Sequence, residues 1–163
     1  MKIKISIFCL LMLLANFNVV KAQEKYNLPA CKSVENENLI GDRFMVQVPE
    51  KSILKTKQGD DYFKYFVSFG KRKNRVWLSG IFGMNATTGE LPKDYSELSL
   101  EVSQKTWMFE DLEGVDAKGK LKNGNYWRYF GAVGEAIKYY DVPLEAANYF
   151  DSILDGICYQ KRK

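Results

Sequence analysis

Histidine does not occur anywhere in the 163 residues. Without an imidazole the chain cannot assemble a Ser-His-Asp triad, a Cys-His nucleophile pair, or a histidine-ligated zinc or haem site. The chemistry left open is that of carboxylate pairs, Ser-Lys dyads, tyrosine or lysine groups, and oxygen-ligated metals. Cysteine is nearly as scarce, at 3 residues, and proline stands at 4 against 12 glycines. Those counts, with a 46% hydrophobic and 14% aromatic content, exclude a disulfide-dense miniprotein, a collagen-like repeat and a disordered chain. Internal repeats and low-complexity tracts are lacking too.

A large charge of either sign is also missing. The formal net charge is +4, but Lys2, Lys4 and Lys21 fall in the first 22 residues, which hold no acidic group. Setting those three aside from the 24 basic residues leaves 21 against 20 acidic, a net of +1. A near-neutral domain has no electrostatic footprint for nucleic acid, so no nucleic-acid partner is expected. Residues 1–22 have the plan of a secretory signal. Lys2 and Lys4 precede an apolar run over 5–15 broken only by Ser6, and Val20-Lys21-Ala22 offers a small-residue cleavage site before Gln23. The run is shorter than the roughly 20 residues that span a bilayer, and no longer one follows, so the mature chain is not expected to span a membrane. Residues 23–163 are expected to form a single exported domain, periplasmic or secreted, with no cofactor and enough chain for a hydrophobic core. Cys9 leaves with the signal. The remaining pair, Cys31 and Cys158, is expected to be a disulfide, the usual state of two cysteines in an exported chain.

Hydrophobic periodicity supplies the elements. Residues 43–48 alternate, with Phe44, Val46 and Val48 on one side, and Pro49 ends the strand. Residues 51–61 read as a charged connection with a turn at Gly59-Asp60. Residues 62–69 and 75–82 are strands rich in aromatic and β-branched side chains, joined by the polar loop 70–74. Phe63, Tyr65, Val67 and Phe69 share one face of the first strand, and Val76, Leu78, Gly80 and Phe82 one face of the second. Residues 85–92 read as a loop. Over 92–104 two patterns compete: Leu91, Tyr95, Leu98 and Val102 fit a helical stripe, while 97–103 alternate as a strand does. Pro92 and Asp94 suit a helix start, which favours the helix.

Residues 110–125 read as an acidic and then Lys- and Gly-rich loop ending in the Asn123-Gly124 turn. Residues 126–130 and 136–142 form a second hairpin. A last helix, capped by Asp141 with Pro143 in its first turn, runs to Cys158. Ala146, Ala147, Phe150, Ile153, Leu154, Ile157 and Cys158 fall within an arc of about 140° on that helix. Glu145, Asn148, Asp151, Ser152 and Asp155 occupy the other side. The expected fold is therefore α+β: an antiparallel β-sheet packed by the amphipathic C-terminal helix and a middle helix, closed by one disulfide. Phe44-Met45-Val46-Gln47-Val48-Pro49 near the start and Phe150-Asp151-Ser152-Ile153-Leu154 near the end carry a resemblance of this element order to the PsbP-like α/β sandwich, including its DcrB-type periplasmic members. That family shares no catalytic residues, and the resemblance implies a binding or assembly role.

Several short motifs are weighed against chance. Ser52 with Lys55, and Ser68 with Lys71, match S-x-x-K, the pattern in which a lysine activates a serine, but no S-D-N or K-T-G partner accompanies them. Gly114 to Lys120 matches a phosphate-binding loop until Leu121, where Ser or Thr should stand to hold magnesium. Glu110, Asp111, Glu113 and Asp116 offer oxygens without EF-hand spacing, and read as a solvated acidic loop with no metal assigned. These carboxylates, or Asp60 and Asp61, could be paired for glycoside hydrolysis, as could those of any acidic surface. Asn85-Ala86-Thr87 is a glycosylation sequon.

The aromatic residues carry more. Opposite the apolar row of the first hairpin lie Tyr62, Lys64, Phe66 and Ser68, facing Arg75, Trp77, Ser79 and Ile81, with Arg72 and Lys73 in the loop. Either helices cover this face, or Tyr62, Arg72, Arg75 and Trp77 form a contact surface, since Trp, Tyr and Arg dominate binding hot spots. Tyr126, Trp127, Arg128, Tyr139 and Tyr140 pose the same choice on the second hairpin. The leading expectation is a non-catalytic interaction protein that binds a protein partner, of immunity or assembly-factor type. The second is a small-molecule or lipid binder with an aromatic-lined cavity between helix and sheet. The third is a small hydrolase using carboxylates or a Ser-Lys pair.

Overall fold

Most of the alternating segments feed one large sheet. A computed structural model describes residues 24–31, 39–40, 43–49, 52–83 and 93–160. The signal segment 1–22, the loop 85–92 and the sequon at Asn85 lie outside the described residues. The strands are β1 (Glu24–Asn27), β2 (Leu39–Ile40), β3 (Phe44–Gln47), β4 (Leu54–Gln58), β5 (Tyr62–Phe69), β6 (Val76–Gly83), β7 (Ser99–Phe109), β8 (Leu112–Leu121), β9 (Tyr126–Ala132), β10 (Glu135–Val142) and β11 (Cys158–Tyr159). Two helices join them, α1 (Lys93–Glu97) and α2 (Leu144–Leu154). The main sheet has eight strands in the order β1-β7-β8-β9-β10-β6-β5-β4, and a smaller one runs β11-β3-β2. Pairing is antiparallel throughout, except that β1 runs parallel to β7. The expected sheet and C-terminal helix are present, but helices contribute far less than an α+β plan suggests, and the described fold is mostly β.

One face of the main sheet is covered by α2 and the small sheet. Trp107 of β7 stacks on Phe130 of β9 with ring centres 5.1 Å apart, and Phe44 of β3 meets both edge-on at 4.9 and 5.4 Å. These three rings are fully buried, with Tyr65, Leu78, Ile137, Phe150 and Leu154 packed around them. Glycines make room for the rings. A β-carbon on Gly80 would sit 1.9 Å from the Tyr65 ring, and one on Gly114 2.0 Å from Trp107. Each of these strand glycines lets an aromatic ring from the neighbouring strand lie flat over its backbone.

Four expectations need correction. Residues 51–61 are not only a connection, because β4 forms there as an edge strand whose five side chains are all exposed. It was missed for want of a buried apolar row. Residues 92–104 divide between the two competing patterns: α1 spans one turn and β7 takes over at Ser99. Residues 110–125 are not a loop but a tight turn at Glu110-Asp111 followed by β8, ten residues long. The supposed phosphate-binding loop is therefore extended strand, its backbone paired with β7 and β9. Finally, α2 stops at Leu154, leaving Ile157 beyond the helix and Cys158 on β11. Asp141 does not cap it. This residue sits in a bulge of β10 at φ 56°, where Asn123 and Asn125 donate to its carboxylate at 2.7 and 2.9 Å, and Pro143 takes the cap position.

The Cys31–Cys158 disulfide joins residues 127 apart in sequence. Cys158 pairs with Met45 in the small sheet, and the Cys31 amide donates to the Tyr159 carbonyl at 3.0 Å. The bond thus pins the start of the described chain to its last strand and to β3. Cys31→Ser or Cys158→Ser is expected to lower stability by about 2–5 kcal/mol, since cross-linking a loop this long removes much denatured-state entropy. Urea unfolding measures the loss, with the far-ultraviolet circular dichroism of the folded chain unchanged. Two titratable thiols in the native protein would contradict the bond.

Candidate interaction site

Strand alternation sends Tyr126, Arg128 and Phe130 of β9 toward α2, and Trp127 and Tyr129 to the opposite face. An arginine in that row is buried with the core. Arg128 Nε and Nη2 donate to the two oxygens of Asp116 on β8, each at 2.9 Å. Its Nη1 donates to Asp151 of α2 at 3.2 Å and to Asp155, which ends that helix, at 2.7 Å. The Tyr139 hydroxyl donates to Asp151 at 2.9 Å, the Tyr26 hydroxyl to Asp116 at 3.3 Å, and Lys118 Nζ to Asp151 at 3.3 Å. The Arg128 side chain is 6% exposed and that of Asp155 is 65% exposed, so the network reaches water at one end. Burial disfavours the Arg128 charge, and the hydrogen bonds and charge of Asp116 more than offset it, so its pKa lies above the ordinary value. Burial and the neighbouring carboxylates push the Tyr139 and Tyr26 hydroxyls up as well, which keeps them as donors.

Asp116 was expected in a solvated loop, and Asp151 and Asp155 on the outer side of the last helix. Instead they gather around one cation and fasten α2 to β8 and β9. Among the described residues no three acidic or cysteine side chains form a metal cage. Beside the network a cleft of about 590 Å³ opens between α2 and β7–β9. Its lining mixes the charged residues Glu101, Lys118, Lys120 and Asp151 with the aromatic residues Tyr126, Trp127 and Tyr139.

Glu135, fully buried at the start of β10, docks the small sheet. Its carboxylate accepts from the backbone N–H groups of Arg43 at 3.2 Å and Phe44 at 3.3 Å. Burial pushes its pKa up to about 7, against the lowering effect of those N–H groups and of Arg43. Neither Ser-Lys pair is assembled. The Ser52 hydroxyl bonds Tyr149 of α2 at 2.5 Å on the covered face, while Lys55 lies on the other face, over Trp77. Ser68 is buried on β5, and Lys71 is exposed beyond it.

The first hairpin forms as expected, β5 and β6 pairing in register from Tyr62 opposite Gly83 to Phe69 opposite Val76. Tyr62, Lys64, Phe66, Arg75 and Trp77 are half-buried on the face away from α2. Arg72 is exposed in the short 3-10 turn Arg72–Asn74. The described cover of this face is α1, whose Tyr95 packs on Trp127, Tyr129 and Tyr140 of the other hairpin and not on β5. Arg72, Arg75 and Trp77 cluster at one end of the first hairpin. Tyr62 stands at the other, so the four expected contact residues form a row and not one cluster.

Sequence reasoning overlooked the cations of β4. The Lys55 ammonium lies 5.1 Å from the centre of the Trp77 ring, the Arg75 guanidinium 5.8 Å from it, and the Lys64 ammonium 4.8 Å from Tyr62. Phe66 meets Trp77 edge-on at 6.3 Å. No ion pair links Lys55, Lys57, Lys64, Arg72 or Arg75 to a described carboxylate. Lys57 and Lys64 stand directly opposite one another in the β4–β5 register. Burial and then the charge of Lys64 lower the pKa of Lys138 on β10. No protein-family model, curated protein or solved structure matches the chain.

Two stability measurements check this account. Arg128→Ala strands Asp116 and Asp151 without their cation and is expected to cost about 3–5 kcal/mol in urea unfolding, whereas Asp155→Ala, at the exposed end, costs less than about 1 kcal/mol. Glu135 acts through pH. Its folded pKa of about 7 lies above the ordinary 4.5, so its contribution is complete below pH 4.5 and is lost as pH rises through 7. The native chain should lose up to about 3 kcal/mol through this group over that window. Glu135→Gln should flatten the fall, as read from urea midpoints at pH 5 and pH 8.

Proposed function

We propose that the protein is a non-catalytic interaction protein that holds an acidic protein partner against the β4–β6 face, as an immunity or assembly factor does. The observation that carries this is a row of aromatic rings topped by cations with no described carboxylate among them. On a free surface, cations are commonly answered by acids of the same chain. Here Lys55, Arg75 and Lys64 rest on Trp77 and Tyr62 instead, ready to meet charge from outside. Half-buried Trp77 and Arg75 side by side on an aromatic face suit binding hot spots. The Cys31–Cys158 bond fits an exported chain, and among the described residues no helix is long and apolar enough to cross a membrane. The resemblance to PsbP-like domains points toward binding or assembly as well.

Charge and anchor should separate in the kinetics. Arg72→Ala with Arg75→Ala is expected to slow association in a salt-dependent way and leave folding intact. Trp77→Ala is expected to weaken partner binding by about 2 kcal/mol or more through faster dissociation. It should cost less folding stability than the roughly 3–5 kcal/mol of a core tryptophan. A partner for these measurements can be captured by a photo-crosslinking residue placed at Phe66 and then titrated by surface plasmon resonance. Unfolding of Trp77→Ala, or unchanged partner affinity in it, would remove this face as the contact surface.

A further inference from the structure

β4 ends the main sheet, and no described strand lies on its outer side. Which of its backbone groups face outward follows from the ladder. The Ser68 amide donates to the Ile53 carbonyl at 3.1 Å, and the Gly59 amide to the Tyr62 carbonyl at 2.9 Å. Hydrogen-bonded pairs in an antiparallel ladder recur every second residue. Lys55 opposite Phe66, and Lys57 opposite Lys64, are therefore the pairs that bond inward. Leu54, Thr56 and Gln58 turn their N–H and C=O groups to the outer edge, where no described strand pairs with them. Their side chains point to the face that carries α2, and those of Lys55 and Lys57 to the cationic face.

We infer that this edge is a docking strand, and that the partner supplies an extended segment in which acidic and apolar residues alternate. The inference rests on the interaction function proposed above and names the chemistry of the partner at the same site. Main-chain bonds to Leu54, Thr56 and Gln58 supply the attachment, as in other additions to a sheet edge. Acidic side chains at every second position of the incoming strand fall beside Lys55 and Lys57 and within reach of Lys64. The alternate positions fall beside Leu54, 42% exposed, and Thr56. A second copy of this chain fits poorly. Antiparallel β4–β4 pairing about Thr56 sets Lys55 opposite Lys57 twice on one face, and like charges directly opposite one another destabilise a sheet. Lysines on an edge strand bar such self-pairing, and the same lysines admit an acidic strand.

The test titrates the purified chain with a blocked seven-residue peptide alternating glutamate and valine, the same peptide with lysine for glutamate, and anionic phospholipid vesicles. The glutamate peptide is expected to bind more tightly than the lysine peptide by about tenfold or more, and to slow hydrogen exchange at the amides of Leu54, Thr56 and Gln58. Thr56→Pro removes only an outward N–H, which an edge strand tolerates, and should abolish peptide binding while circular dichroism stays native. Lys55→Glu with Lys57→Glu should reverse the peptide preference, and carries the test alone if the proline variant does not fold. Glutamate-peptide binding that leaves those amides unprotected or survives Thr56→Pro overturns the inference. Failure to bind the peptide, or capture by the vesicles in its place, overturns it too. If Trp77→Ala releases the natural partner while the β4 variants keep it, the face is the site and the edge is not.

Discussion

Eight strands present two broad faces, and among the described residues there are one helix of three turns, one of a single turn, and three short strands to cover them. Everything else follows from where that cover goes. The larger helix and the small sheet fall on the same side, so the apolar rows of β5, β6, β9 and β10 share one core with Phe44, Trp107 and Phe130 at its centre. On the other side α1 contributes little more than Tyr95, which is half-buried against the second hairpin. Among the described residues the remainder of that face is shielded by its own side chains. Long stems of lysine and arginine laid over aromatic rings are how a sheet keeps water from an uncovered surface.

The two buried charges on the covered side do different jobs. Arg128 is surrounded by acids on two elements, so its charge and its hydrogen bonds are both met, and it joins α2 to the sheet without shedding its proton. Glu135 accepts from the backbone N–H groups of Arg43 and Phe44, and the Arg43 guanidinium is 3.9 Å away. Those N–H groups and the Arg43 charge do not offset the loss of hydration, and the pKa of the carboxyl is pushed up to about 7. The small sheet, and the disulfide that it carries, are therefore docked on a carboxyl whose burial costs more as it ionises with rising pH. The attachment of α2, by contrast, rests on an arginine that stays charged.

Much of this was legible in the chain. The alternation in β5 and β6, rich in aromatic and β-branched residues, has one reading only, and the same holds for the apolar arc of α2. The pairing of Cys31 with Cys158 followed from export and arithmetic. What could not be seen had physical causes. β8 looks like a loop because Gly114 and Gly119 sit where aromatic rings from other strands need room, and nothing nearby in sequence announces those rings. β4 looks like a linker because an edge strand with no buried side chain has no apolar period. Arg128 could be read only as one of a cluster either covered or in contact with a partner, because its acids come from positions 12, 23 and 27 residues away. Its place between Trp127 and Tyr129 in an otherwise apolar run was the available sign.

Local rules that a fold breaks without need tend to mark where selection acted on something other than stability. Burying Arg128 is answered inside the molecule, and so is the left-handed Asp141, by two asparagines. The register of Lys57 against Lys64 is not. A single acidic residue at either position would relieve the repulsion and support the hairpin through a cross-strand ion pair. Nothing in the packing prevents it, because both side chains lie on the uncovered face. Like charges opposite one another oppose the pairing of β4 with β5, and no described acid meets them there.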